Sequence, residues 1–157
     1  MQPCQNHEKC IHTALETAEH ICRDKGLRFT ELRRKVLQMV WASHGPAKAY
    51  EILAKLSLED PKAKPPTVYR TLDFLLENGF IHKLQSLNAY VGCSHPLEKR
   101  QCYFLICDHC GDIEECCNVV LNEALVNTTK ASRFHLTNVT LEISGECESC
   151  VKNAKKV

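Results

Sequence analysis

Two Cys-x-x-Cys pairs, Cys107/Cys110 and Cys147/Cys150, constrain this chain more than any other feature. Four thiolates can surround one ion as a tetrahedron, the closed geometry of structural zinc. If they do, segment 107–110 must lie against segment 147–150, and residues 111–146 must leave and return. That interval is longer than in a simple zinc ribbon, so a helix and a strand are expected inside it. Gly111 and Gly145 flank the pairs and permit tight backbone. The competing reading is a thiol oxidoreductase using Cys107 and Cys110. That chemistry needs a βαβ setting with the first Cys at a helix start, and the apolar run Tyr103–Ile106 instead predicts a strand leading into Cys107.

Eleven cysteines are an odd number for a closed set of disulfides. The start Met1-Gln2-Pro3 has no apolar signal region, and no run approaches a membrane span. A cytoplasmic location is therefore expected, where clustered Cys more often bind metal than pair. Net charge is only +1, but its placement is uneven. Arg23, Lys25, Arg28, Arg33, Arg34 and Lys35 are opposed only by Asp24 and Glu31, whereas the charges from Asp108 to Glu123 are all acidic. A basic front and an acidic back imply two tasks; solvated helix faces are the plainer alternative.

The segment from Lys64 to Lys83 reads as a helix passing at once into a strand. Pro65 and Pro66 suit the first helical turn. Val68, Leu72, Leu75 and Leu76 make one apolar stripe, with Thr67, Arg70 and Glu77 opposite. Asn78-Gly79 is a stop signal. A two-faced helix with an Arg near its start suits groove reading. Upstream, helices are expected over Thr13–Lys25, from an N-cap at Thr30, and over Ala47–Leu56. Downstream, Phe80–Lys83 and Ala89–Cys93 form a hairpin about Ser86-Leu87-Asn88. Together these make a winged helix-turn-helix. Asp112–Glu115 predicts a short strand, Val119–Lys130 a helix, Phe134–Ser144 a long strand, and Lys152–Val157 a loose basic tail.

A second constellation is scattered: His82 and Cys93 on the wing, His95 in the link, Glu115 after the first Cys pair, and Cys102 nearby. Two imidazoles, a thiolate and a carboxylate suit zinc better than oxygen-seeking magnesium, calcium or manganese. A packed His and a buried lone Cys are the ordinary alternatives. Cys4, His7, Cys10 and His12 could also chelate, but they lie in a polar terminus read as a mobile tail, residues 1–12. Cys116 and Cys117, adjacent on a strand, should face opposite ways.

Lys64-Pro65-Pro66-Thr67-Val68-Tyr69-Arg70-Thr71-Leu72, then Phe80-Ile81-His82-Lys83, then Ile106-Cys107-Asp108-His109-Cys110-Gly111, closely resembles the ferric uptake regulator superfamily, and within it the zinc-sensing members. The resemblance covers about Leu15 to Val151. It implies an α+β fold: an N-terminal winged helix-turn-helix (1–93), a hinge (94–102) and a small C-terminal α/β dimerisation domain (103–157). It implies a homodimer on double-stranded operator DNA, with no membrane, no small-molecule substrate and no enzymatic activity. It implies two Zn(2+) per subunit. Cys107, Cys110, Cys147 and Cys150 would hold structural zinc, and His82, Cys93, a third residue between Cys93 and Cys107, and Glu115 would hold regulatory zinc. His95 is favoured over Cys102 for the third place. The resemblance puts Tyr50 and Arg70 at DNA, with Arg28 beside them; Thr67 and Tyr69 join them on the exposed helix face. The expected function is a zinc-responsive repressor of zinc-uptake genes. An iron, manganese or peroxide sensor is the alternative within the superfamily, disfavoured by Cys93 and by Asn138-Val139 where such sensors carry a ligand His.

Overall fold

The computed structural model describes residues 7–43, 45–59, 63–96, 102–137 and 139–154. Cys4, His44, the connector residues Asp60–Lys62, most of the expected link (97–101), Asn138 and the final Lys155–Val157 lie outside them. The fold is α+β, and the chain divides into two units, Gln2–Glu98 and Lys99–Val157.

In the first unit, α1 (His7–Asp24), α2 (Glu31–Ala42), α3 (Ala49–Glu59) and α4 (Pro65–Glu77) precede a hairpin of β1 (Ile81–Leu84) and β2 (Ala89–Gly92). α1 begins at His7, ahead of the expected start at Thr13, because Ile11 continues the stripe of Leu15, Ala18 and Cys22 and packs against the same core. His7, Cys10 and His12 are therefore helical. Val36, Leu37, Val40, Ile52, Leu56, Val68, Leu72 and Leu75 close that core at 2 % exposure or less. Each large side chain removed from water here contributes about 1.5–3 kcal/mol.

Local signals set the helix ends. Thr30 caps α2, its hydroxyl accepting the Arg33 N–H at 3.4 Å. At the other end of α4, Gly79 takes φ +72°. Its N–H donates to the Leu76 carbonyl at 3.0 Å, and that of Phe80 to the Leu75 carbonyl at 2.9 Å. This is a Schellman stop, and it turns the chain directly into β1. The hairpin pairs Ile81 with Gly92, His82 with Val91 and Lys83 with Tyr90. Ala47 and Tyr90 exchange backbone hydrogen bonds at 2.8 Å, tying the wing to the α2–α3 connection.

The second unit holds β3 (Cys102–Cys107), β4 (Ile113–Cys117), α5 (Val119–Ala131), β5 (Glu142–Gly145) and α6 (Glu148–Ala154). Its sheet runs β4-β3-β5, with β3 antiparallel to β4 and parallel to β5. The long strand expected over 134–144 contracts to Glu142–Gly145. Those residues pair with Phe104–Cys107, and just before them the Leu141 carbonyl accepts the Phe104 N–H at 3.0 Å. Arg133, at φ +53°, ends the preceding turn, and Phe134 is exposed. The seven-residue α6 replaces part of the expected tail.

Candidate metal centre

The parallel pairing of β3 with β5 brings the two Cys pairs together. Cys107 stands opposite Gly145, and the Asp108 N–H donates to the Gly145 carbonyl at 2.8 Å. Two residues on is Cys147, and Cys150 lies in the first turn of α6. On the other side the β3–β4 turn closes through Cys107 N–H to the Asp112 carbonyl and Gly111 N–H to the Cys107 carbonyl, both 2.9 Å. Gly111 has φ +69°, a conformation few side chains tolerate.

The four sulfurs lie within 4.8 Å of one another. Cys107 and Cys150 are 3.9 Å apart and Cys110 and Cys147 are 3.7 Å apart. A tetrahedron with zinc–sulfur bonds of about 2.3 Å has edges of about 3.8 Å, so the donors are spaced to close on one ion. Backbone donors prepare the site. The N–H of Cys110, then that of Cys147, pull the Cys107 thiol down to about 6 against the effect of burial. The hydrogen bond with Cys147, then that with Cys110, pushes Cys150 up to about 12. One thiolate is comfortable alone; further ionisation puts like charges together. A dication removes that obstacle, and its binding would release protons. His109, between the first pair, faces outward and bonds Glu146 (Nε2···Oε1 2.9 Å), which raises its pKa through that hydrogen bond and the carboxylate charge.

His82 on β1 is half-buried, and Cys93 just past β2 is buried at 8 % exposure. Since His82 faces Val91 and strand side chains alternate, His82 and Cys93 share one face of the hairpin. The Cys93 N–H donates to the Phe80 carbonyl at 3.0 Å, fixing the chain beyond the strand. His95 is exposed. Glu115, in the second unit, is half-buried on β4 opposite Phe104. Cys102 is joined to Cys117 across β3 and β4 as a disulfide. Sequence reasoning left Cys102 as a rival to His95 and gave Cys117 no role. The pairing follows from register: once the hairpin closes at Cys107 and Asp112, Cys102 must land opposite Cys117. Buried Cys22 is a core residue, its thiol pushed up by burial.

Of the residues expected at nucleic acid, Thr67, Tyr69 and Arg70 are exposed on α4, away from buried Val68, Leu72 and Leu75. Tyr50 is 64 % exposed in the first turn of α3, with the Lys48 ammonium 5.9 Å from its ring centre. Arg28 is exposed before α2, its carbonyl accepting from the Arg33 guanidinium.

Residues 24–144 match the model of the ferric uptake regulator family. The chain is 39% identical over 140 residues to the zinc uptake regulation protein of Escherichia coli strain K12, covering 88% of this chain and 81% of that protein. Its fold is similar to a zinc uptake regulator solved with zinc and DNA (TM-score 0.87, 36% identity, 92% of this chain and 97% of that one). It is also similar to the holo form of the regulator XcZur (TM-score 0.81, 40% identity, 88% and 96%).

Proposed function

The chain belongs to the ferric uptake regulator family, and from that premise we propose that it is a zinc-responsive repressor of zinc-uptake genes, binding operator DNA as a homodimer in the cytoplasm. The observation that carries this reading is the donor chemistry. A thiol and an imidazole, Cys93 and His82, share one face of the wing, and the second unit has a separate set of four thiols spaced for a closed zinc site. Soft sulfur with imidazole selects zinc rather than magnesium, calcium or manganese. The relatives reported above are zinc regulators, one of them solved with zinc and DNA.

The proposal assigns two Zn(2+) per subunit. Cys107, Cys110, Cys147 and Cys150 hold the structural ion, which stabilises the second unit by joining the end of β3, the β3–β4 turn and α6. His82, Cys93, His95 and Glu115 hold the regulatory ion. Zinc supplies four directed bonds, and donors drawn from both units can satisfy them only if those units adopt a restricted relative orientation. The exposed α4 face then meets DNA: Arg70 reaches a base edge or phosphate, Thr67 and Tyr69 contact the same groove, and Tyr50 and Arg28 hold backbone. In a dimer, two such helices must enter major grooves about one helical turn, ~34 Å, apart. Without regulatory zinc the orientation is unconstrained, and ordering it costs DNA-binding free energy. Exposed Leu105 and Ile143, paired in register, and exposed Val119 and Val120 offer the second unit an apolar surface for a second copy. Among the described residues no helix is long and apolar enough to cross a membrane.

Two substitutions test the division of labour. Cys93→Ser should leave a folded dimer with one tightly held zinc and abolish zinc-dependent DNA binding. Cys107→Ser should cost the structural zinc and, with it, the folded dimer. Zinc stoichiometry, sedimentation and DNA binding measure these outcomes; equal effects from the two would remove the distinction between structural and sensing sites.

A further inference from the structure

The Cys102–Cys117 disulfide lies outside the residues assigned above to the two zinc ions, yet its position is specific. The two residues are directly opposed on β3 and β4, 4.3 Å apart at Cα and 15 residues apart in sequence. The next pair on the same face is Phe104 and Glu115. Cys116, adjacent in sequence, faces the other way, opposite Tyr103. Cys102 and Cys117 are both half-buried, so small molecules can reach them. The same unit holds four cysteines whose thiols must stay reduced to take up zinc. Conditions that keep those reduced also reduce an accessible disulfide.

We propose that Cys102 and Cys117 form a reversible dithiol–disulfide site on the Glu115 face of the hairpin, through which a hydroperoxide weakens zinc binding at the regulatory donors. The proposal rests on the reading of Glu115 as one of those donors. Reduced, the site puts two thiols beside the carboxylate, where a thiolate can serve as a soft zinc ligand in place of a weaker donor. Oxidised, both sulfurs are in a covalent bond and neither is a thiolate. The chemistry balances with the peroxide as oxidant. One sulfur attacks the peroxide's O–O bond, giving a sulfenic acid and releasing an alcohol, or water from hydrogen peroxide. The second thiol displaces water from the sulfenic acid and closes the S–S bond. Two electrons leave the sulfurs and reduce the O–O bond. A dithiol reductant reverses the change by exchange.

The test uses the full chain loaded with zinc, fully reduced without oxygen and then given one equivalent of hydrogen peroxide. Peptide mapping after alkylation locates disulfides, and chelator competition measures the weaker zinc. The expected result is a Cys102–Cys117 link, no link among Cys107, Cys110, Cys147 and Cys150, and a fall of about tenfold or more in regulatory zinc affinity, the scale of losing a group around a metal. A dithiol should restore it. Cys117→Ser should show neither the link nor the fall, and Cys102→Ser repeats that control from the other strand. No link, or a link within the four-Cys set instead, overturns the proposal. So does a link that leaves zinc affinity unchanged. In that last case Glu115→Gln separates the causes: release of the weaker zinc means the thiol pair alone has failed, and its retention means the reading of Glu115 has failed as well.

Discussion

Cys107 shows how backbone donors can favour the thiolate that the proposed structural zinc would need. Its sulfur receives the Cys147 N–H at 3.4 Å as well as donors from its own turn, so one negative charge is stabilised before an ion arrives. The same turn aims His109 at Glu146. Because His109 titrates above the ordinary histidine range, the folded state favours its protonated form. The contribution is present below the ordinary value near 6.5 and is lost as pH rises through the raised folded value. Both side chains are more than half exposed, so the effect on stability is small. Glu146→Gln should move the His109 ring titration, followed by NMR, back toward the ordinary range; an unmoved titration would show that Glu146 is not the cause. The four knuckle cysteines were legible in the sequence because C-x-x-C spacing is a local signal. The Cys102–Cys117 pairing was not, because it depends on strand register, which no local spacing reveals.

Among the elements, the wing depends on a contact that sequence patterning does not disclose. A methyl added at Gly92 would lie 2.3 Å from the Trp41 ring, so β2 runs flat against α2 only because no side chain intervenes. Gly92→Ala should destabilise the first unit by about 1–3 kcal/mol through overpacking, measured by denaturant unfolding. An unchanged midpoint would mean that the indole moves aside without cost. The same substitution disturbs the strand leading to Cys93, so it should also weaken zinc-dependent DNA binding. The amphipathic helices and the wing hairpin were readable, since apolar periodicity, the Thr30 cap, Pro65-Pro66 and Gly79 all act locally. Three features were misread for physical reasons. The start of α1 is held by one additional apolar residue, Ile11, packed on the core. β5 is confined to the four residues that pair with Phe104–Cys107, although the β-branched run is longer. Seven-residue α6 has no buried residue to produce a periodic signal.

At the scale of the molecule, the proposed repressor assigns DNA contact and dimerisation to different units, with regulatory zinc coupling them. Arg70→Ala should weaken DNA binding by about 1–3 kcal/mol if it reads a base, and a loss of salt dependence by about one counterion would instead assign it to a phosphate. Zinc stoichiometry should not change, since the Arg70 side chain lies on the exposed face of α4. Binding unaffected at every salt concentration would exclude α4 as the reading helix. Zinc control of DNA binding is tested by a titration. Full-length protein retaining its structural zinc is mixed with duplex DNA selected from a random pool in the presence of zinc, and affinity is followed as free zinc is raised and then removed with a chelator. The proposal predicts tight binding that appears with zinc, disappears on chelation while the structural ion remains bound, and is absent in Cys93→Ser. Equal affinity with and without free zinc would contradict it.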